Sequence, residues 1–502
     1  MTKRIYYLLL LVLICIGTTL KFAHTHEEMP VGCDEFGYLN LAKHFDEGNL
    51  TDRSYLPELL THLRASGITE PELSWMVTPH AYHVLPATNK VINQYPPGTS
   101  YILSLLPYEW RNLLFPLLVM FSFILIPALA LRFTSIKEWN LFDILFPVLL
   151  FLVTVSSPFT TELSRVNSLA VTFGLLFAAG MVLIKKPFLA CFLIALTVNF
   201  RIVNLLMLVP VILFLPLTAH LNKKETLQNF KMLFQAGILI LLAIIPLLYY
   251  NYSLTGNPIA STYSVVDTAI NGIEGVSRNI LFYFNTNQHW FILHLIAILI
   301  IILFSYFKKI SWILVLKLIA FPLVNYIFFF WHKVIMDYYP YASAMILSGV
   351  ICGLSINLNF RNKFSLAIPT VGIALAFVVL ISGYRKFHKN EHLTFSEAKA
   401  KYASLCNYDI VWGDLLSGTT EYVCGNNGFR YTVTTPRARI RAIRFLHDKN
   451  FKQVILLGDV PLKSELIIEE LKNEGILFIE KNDIRSGRLL EITGNDSKNP
   501  NL

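Results

Sequence analysis

Charge is scarce in this 502-residue chain: Asp, Glu, Lys and Arg together make 15% of it, against 54% hydrophobic residues. With a mean hydropathy of +0.53, there is too little polar surface for a wholly water-soluble fold, so lipid serves as solvent for much of the chain. The period-2 alternation of a membrane β-barrel is missing, which leaves helices to satisfy the backbone in the bilayer. No small-x-small cleavage site follows Thr18-Thr19-Leu20-Lys21-Phe22, so the first apolar run reads as a retained anchor and not a signal peptide. Mid-membrane charges and internally repeated halves, the marks of a transporter, are also missing. The net charge of +9 is spread in short Lys/Arg clusters between apolar runs, the pattern of topology signals, and this speaks against nucleic acid as a partner.

What is present is a series of apolar runs long enough to cross a bilayer. About eleven are expected, at residues 5–22, 111–131, 141–157, 166–184, a short pair 188–200 and 203–220, then 230–250, 290–307, 312–331, 338–357 and 364–384. The basic clusters (Lys3 and Arg4, Arg132 and Lys137, Lys185 and Lys186, Lys223, Lys224 and Lys231, Lys308 and Lys309, Arg361 and Lys363) fall on one side if the spans alternate. That side is the cytoplasm, which places the amino terminus inside and, on the outer face of the cytoplasmic membrane, a long loop at 23–110 and everything after residue 384.

The outer loop carries the chemistry. Cys33-Asp34-Glu35-Phe36-Gly37-Tyr38 opens a helix expected over 34–46, with Asp34 at the N-cap and a mainly apolar stripe laid on the membrane; Asp34 and Tyr38, four apart, share a face. Adjacent acids at a helix start can simply favour its dipole. Downstream, Gln94-Tyr95-Pro96-Pro97-Gly98 is a rigid extended turn leading into an apolar run too short to span, 101–106, where a second short helix is expected.

A retained first span, an Asp-Glu-x-x-Tyr helix start in a long outer loop and a Tyr-Pro-Pro-Gly turn before the second span resemble the GT-C integral-membrane glycosyltransferases. The likeness is to those that use polyprenyl-phosphate sugars, such as protein mannosyltransferases and aminoarabinose transferases, and it covers the layout of roughly the first 360 residues. The resemblance implies a transmembrane domain over 1–384 with its catalytic acids in the outer loop. It places the catalytic carboxylate on Asp34 with Glu35 beside it, either able to act as base, and a polyprenyl-phosphate-linked sugar as donor. The acceptor, whether lipid, glycan or protein, is left open, and displacement by it inverts the anomeric carbon. The anionic leaving group calls for fixed positive charge. Arg201, at the end of the short paired hairpin, and Lys333, before Tyr338-Tyr339-Pro340, match the family's basic positions, with Arg165 a weaker candidate. Arg201 could instead snorkel or pair with Glu162, which stands where relatives carry another acid. Tyr38, Tyr95 and Tyr339 complete the expected substrate-binding set. These residues are expected to converge on one cavity. A ligase or polymerase of lipid-linked oligosaccharides shares the layout, and a non-enzymatic lipid or glycan transporter is the remaining alternative.

No cofactor is expected. His24, His26, His80 and His83 have acids nearby, but their spacing matches no closed metal site, so a divalent ion is the lesser reading. After residue 384 charges return and apolar runs shrink to strand length. A separate extracytoplasmic α/β domain is expected over 385–502, with strands at 453–459 and 475–480 and helices at 436–449 and 462–473, serving structure or acceptor contact. Cys406 and Cys424 share this domain and are free to form a disulfide in an oxidising compartment; Cys15, Cys191 and Cys352 read as residues of apolar spans.

Overall fold

The computed structural model describes residues 33–47, 53–86, 88–111, 114–115, 118–119, 166–215, 223–260, 273–286, 288–308, 311–333, 339–357, 399–460, 462–483 and 487–495. The chain divides into two compact units. One comprises Met1–Thr25, Leu114–Tyr249 and Thr268–Lys389; the other comprises His26–Leu113, Tyr250–Asp267 and Asn390–Leu502. The outer loop and the C-terminal segment, expected to fold apart, thus share a unit.

The first unit is helical. Its helices Ser168–Leu183, Pro187–Val198, Gln288–Lys308, Trp312–Trp331 and Tyr341–Asn357 fall on expected runs, and Lys223–Thr255 extends another into the second unit. Among the described residues two stretches, Thr226–Thr255 and Trp312–Trp331, are long and apolar enough to cross a membrane, and a third arises if the pair Gly275–Thr286 and Trp290–Leu303, bent by 70°, is one span. The expected spans at 5–22, 141–157 and 364–384, and most of 111–131, lie outside the described residues. The run at 203–220 departs from expectation: residues 202–214 are a 3₁₀ turn, Leu208–Val211 and a second 3₁₀ turn. Pro210, which has no N–H to donate, sits in the break.

Close helix approach is encoded by glycine. A Cβ on Gly180 would meet the Ile346 carbonyl, one on Gly349 the Phe177 carbonyl, and one on Gly353 would lie 2.5 Å from the Met181 carbonyl, so Ser168–Leu183 and Tyr341–Asn357 cross backbone to backbone. Pro246 interrupts the long helix, and Asn199 repairs it: its Nδ2 donates to Ala243 O (2.7 Å) and its Oδ1 accepts from Leu247 N (3.0 Å).

The second unit begins with the acid helix Cys33–Glu47. It was expected to rest on lipid, but the protein surrounds it: Phe36, Tyr38, Leu39, Leu41 and Ala42 are at most 2% exposed, and so is Glu35. The hairpin of β1 (Tyr82–Leu85) and β2 (Lys90–Asn93) contributes Leu85 and Ile92 to a cluster with Leu41, Tyr250 and Leu254. A Cβ on Gly418, in the C-terminal segment, would come within 2.7 Å of the Phe36 ring.

That segment is a mixed sheet of β3 (Ile410–Gly413), β4 (Asn427–Arg430), β5 (Gln453–Leu456), β6 (Ile476–Asp483) and β7 (Gly487–Asn495), ordered β4-β3-β5-β7-β6. β3 runs parallel to β4 and β5, and β7 runs antiparallel to β5 and β6. Helices Leu416–Cys424, Pro436–Asp448 and Ser464–Asn473 connect the strands, and the Cys406–Cys424 disulfide closes the end of the first.

Polar groups join loop to sheet. Arg53 Nη2 meets Glu421 Oε2 at 2.6 Å with side chains 1% and 7% exposed. Glu421 Oε2 also accepts from Gly428 N (2.9 Å), and Asn40 Nδ2 approaches its other oxygen at 3.5 Å. Burial disfavours the Arg53 cation, but Glu421 and Tyr55 together more than offset this, so its pKa is raised. The pairs Thr435–Glu72 and Lys449–Glu58 fasten the rim.

Candidate functional site

Asp34 is the second residue of the acid helix, inside its first turn and not at the N-cap. Its Oδ1 accepts the Tyr95 hydroxyl proton at 2.5 Å. The Tyr95 oxygen lies 3.0 Å from Cys33 Sγ, and since the hydroxyl proton is committed to Asp34, the thiol is the donor there. The Tyr95 ring packs at 4.8 Å from that of Tyr38, so the shared face of Asp34 and Tyr38 meets the Tyr-Pro-Pro-Gly turn through one side chain. Backbone bonds fix this register: Asn93 Nδ2 donates to Gly37 O (2.8 Å), Tyr95 N to Asn93 Oδ1 (2.7 Å) and Ser100 Oγ to Tyr38 O (3.0 Å), the last from the short helix Gly98–Ser104 that the sequence implied. Gly37 is required, because a Cβ there would come within 2.5 Å of Ala81 Cβ and 2.7 Å of the Tyr95 ring.

The two acids differ in setting. Asp34 is half-buried and Glu35 is 2% exposed. Tyr38 and Tyr95, at 1% and 5%, are also enclosed. Burial, and then the charge of Asp34, push the Cys33 thiol up to about 12, so it is a neutral donor.

Arg430 and Asp414, which no sequence motif marks, lie in the same unit. Arg430, on β4, donates to the Pro79 and Tyr82 carbonyls, both at 2.9 Å, and stacks 4.5 Å from the Trp75 ring centroid. Burial lowers its pKa to about 10, opposed by the fields of Cys33, Tyr95 and Asp414, so it is cationic at neutral pH. His80 Nε2 meets Asp414 Oδ1 at 2.6 Å, and that hydrogen bond holds the Asp414 carboxyl below its ordinary value. Asp459 Oδ2 accepts from Asp414 N and Leu416 N, tying the end of β3 to the next helix. His83 stands beside the Trp75 ring at 5.6 Å. Among the described residues no group of three or more His, Cys, Asp or Glu side chains could hold a metal ion.

The helical unit holds the cationic candidates. Arg201 follows helix Pro187–Val198. Its Nη1 reaches Ser168 Oγ at 3.3 Å, and its guanidinium faces the rings of Tyr339 (5.4 Å) and Tyr341 (6.0 Å). Tyr341 is fixed in turn by Thr172 (2.9 Å) and Asn204 (3.0 Å). Tyr339 stacks on Phe329 at 4.4 Å and meets His332 edge-on, beside the exposed Lys333. Asn279 Nδ2 caps helix Trp312–Trp331 by donating to the carbonyls of Phe329, Phe330 and His332, and the neighbouring Arg278 approaches the Lys333 carbonyl at 3.5 Å. Arg201, Tyr339 and the His332–Lys333 corner therefore belong to one network, and Arg278 is a further exposed cation beside it. Glu162 and Arg165 lie outside the described residues, as do His24 and His26.

No family model matches the chain, and no curated protein matches it in sequence. Solved structures match over its whole length. The chain is similar to ArnT from Cupriavidus metallidurans in the apo state, with 8% identity and a TM-score of 0.54 over 98% of each chain. It is also similar to that protein bound to undecaprenyl phosphate, with 9% identity and a TM-score of 0.51 over 97% of this chain and 98% of that one. The chain has the fold of the GT-C glycosyltransferases. One kind whose fold it shares is the aminoarabinose transferase, among those that the outer-loop motifs resemble.

Proposed function

We propose that the protein is a membrane glycosyltransferase that moves a sugar from a polyprenyl-phosphate carrier to an acceptor on the outer face of the cytoplasmic membrane. The full-length likeness to a GT-C enzyme solved with undecaprenyl phosphate supports the donor class. The Asp34–Tyr95 hydrogen bond carries the assignment of the base. Tyr95 occupies one carboxylate oxygen and leaves the other to take a proton.

In this reading the acceptor oxygen or nitrogen attacks the anomeric carbon while Asp34 removes its proton. The bond from that carbon to the phosphate oxygen breaks, its electron pair leaves with the polyprenyl phosphate, and the configuration inverts. Arg201 and Lys333, with Arg165 and Glu162 as auxiliaries, bind the phosphate and orient the acceptor; Arg201's guanidinium suits a phosphate bidentately. Glu35, enclosed beside Asp34, supports the carboxylate's field. Tyr38 acts on substrate only through Tyr95, and Tyr339 presents Arg201. The carrier brings its sugar already activated, so neither a nucleotide nor another cofactor enters. Mass spectrometry of envelope glycans and lipids from a deletion strain tests the reading. A missing hexose- or pentose-sized mass on one acceptor is expected and names both partners. An unchanged glycan and lipid profile would contradict it.

A further inference from the structure

We propose that Arg430, on the C-terminal sheet, is a positioning residue for the Asp34–Tyr95 pair, acting through the turn at residues 77–82. Two buried cations grip that turn by its carbonyls. Arg430 donates to Pro79 and Tyr82 at 2.9 Å, and Arg53, held by Glu421, donates to Val77 at 2.8 Å. Gly428 leaves room on this side of the strand, since a Cβ there would lie 2.5 Å from the Ser417 carbonyl and 3.0 Å from the Pro79 side chain. So held, Ala81 adopts φ +73°, a left-handed conformation that strains a non-glycine residue and persists where its surroundings over-determine it.

The far side of the turn meets the neighbours of the Asp34–Tyr95 pair. The Ala81 carbonyl accepts from Gln94 N at 2.8 Å, one residue before Tyr95, and the Ala81 methyl fills the space where a Gly37 side chain would be. The turn is therefore the spacer that sets the acid helix against Tyr95, and Arg430 fixes the spacer. Its charge also reaches Cys33 and Tyr95.

Cys33, hydrogen-bonded to Tyr95, is a built-in reporter; Cys191, buried in the helical unit, is the control. The full-length protein in detergent is treated with N-ethylmaleimide, and each cysteine peptide is followed by mass spectrometry. Arg430→Gln should speed Cys33 labelling about tenfold, the signature of a local opening, with Cys191 unchanged and Arg430→Lys restoring most of the protection. Loss of the arginine charge alone would act oppositely, by raising the thiol pKa further. An unchanged Cys33 rate, or a rise matched by Cys191, overturns the proposal. If Arg430→Gln does not accumulate, Ala81→Gly decides. It relieves the strained φ and so spares folding, but it removes the spacer's methyl. Faster Cys33 labelling then supports the proposal and an unchanged rate overturns it. The proposal rests on Asp34 as the base, but labelling reads the spacer itself, whereas an active Asp34→Asn enzyme would refute the base and leave the labelling result standing.

Discussion

Replacing Glu421 by glutamine keeps the shape of the side chain and removes its charge, leaving Arg53 as a cation with 1% side-chain exposure that donates to the neutral carbonyls of Val77 (2.8 Å) and Gly428 (3.4 Å) with its carboxylate partner gone. Breaking a buried pair from one side costs about 3–5 kcal/mol, because the remaining charge is desolvated and unpaired. The amide oxygen can still accept from Gly428 N, so that bond adds little to the loss. In a unit of roughly 200 residues, where each kcal/mol moves Tm by about 2–4 °C, the second unit should melt about 10 °C lower. Scanning calorimetry of the purified protein in detergent reads the shift. The pair Arg53→Met with Glu421→Leu should recover most of it, since a buried ion pair is worth little more than a well-packed apolar one. A single Glu421→Gln variant melting within about 2 °C of the unchanged protein would refute the reasoning.

Gly37→Ala should separate Tyr95 from Asp34, because its Cβ would lie 2.7 Å from the Tyr95 ring and the enclosed ring has nowhere to go; a turnover loss of about tenfold is expected, measured as transfer of labelled sugar from lipid extract. In the helical unit Gly349→Ala drives a methyl into the Phe177 carbonyl, so the bundle should lose about 1–3 kcal/mol, seen as a lower melting temperature and faster alkylation of Cys191.

Much of this was legible because apolar length and turn chemistry are local. The run at 312–331 is the helix Trp312–Trp331, and the strands near 453 and 476 appear as β5 and β6. The acid motif and the Tyr-Pro-Pro-Gly turn are expected to meet, and the fold joins them through the Tyr95 hydroxyl on Asp34. The union of outer loop with C-terminal segment was not legible. It rests on Arg53 and Glu421, 368 residues apart, and on β4, whose Asn427-Gly428-Phe429-Arg430 has neither the apolar run nor the alternation of a strand and exists because β3 pairs with it in parallel. For the same reason the acid helix appeared amphipathic and membrane-bound. Its polar face is buried too, where Asn40 faces Glu421 from the distant segment. Arg278 stands in a short helix, Ile273–Leu281, between the expected runs at 230–250 and 290–307, where no motif marks it.

The central claim is that Asp34 removes the acceptor's proton. The most direct measurement compares sugar transfer from a labelled polyprenyl-phosphate donor by the purified protein with that by Asp34→Asn, a change that keeps an acceptor for Tyr95 but abolishes the base. Turnover should fall by about a hundredfold or more while binding of undecaprenyl phosphate is retained, with Glu35→Gln less affected. Undiminished transfer by Asp34→Asn would contradict the account.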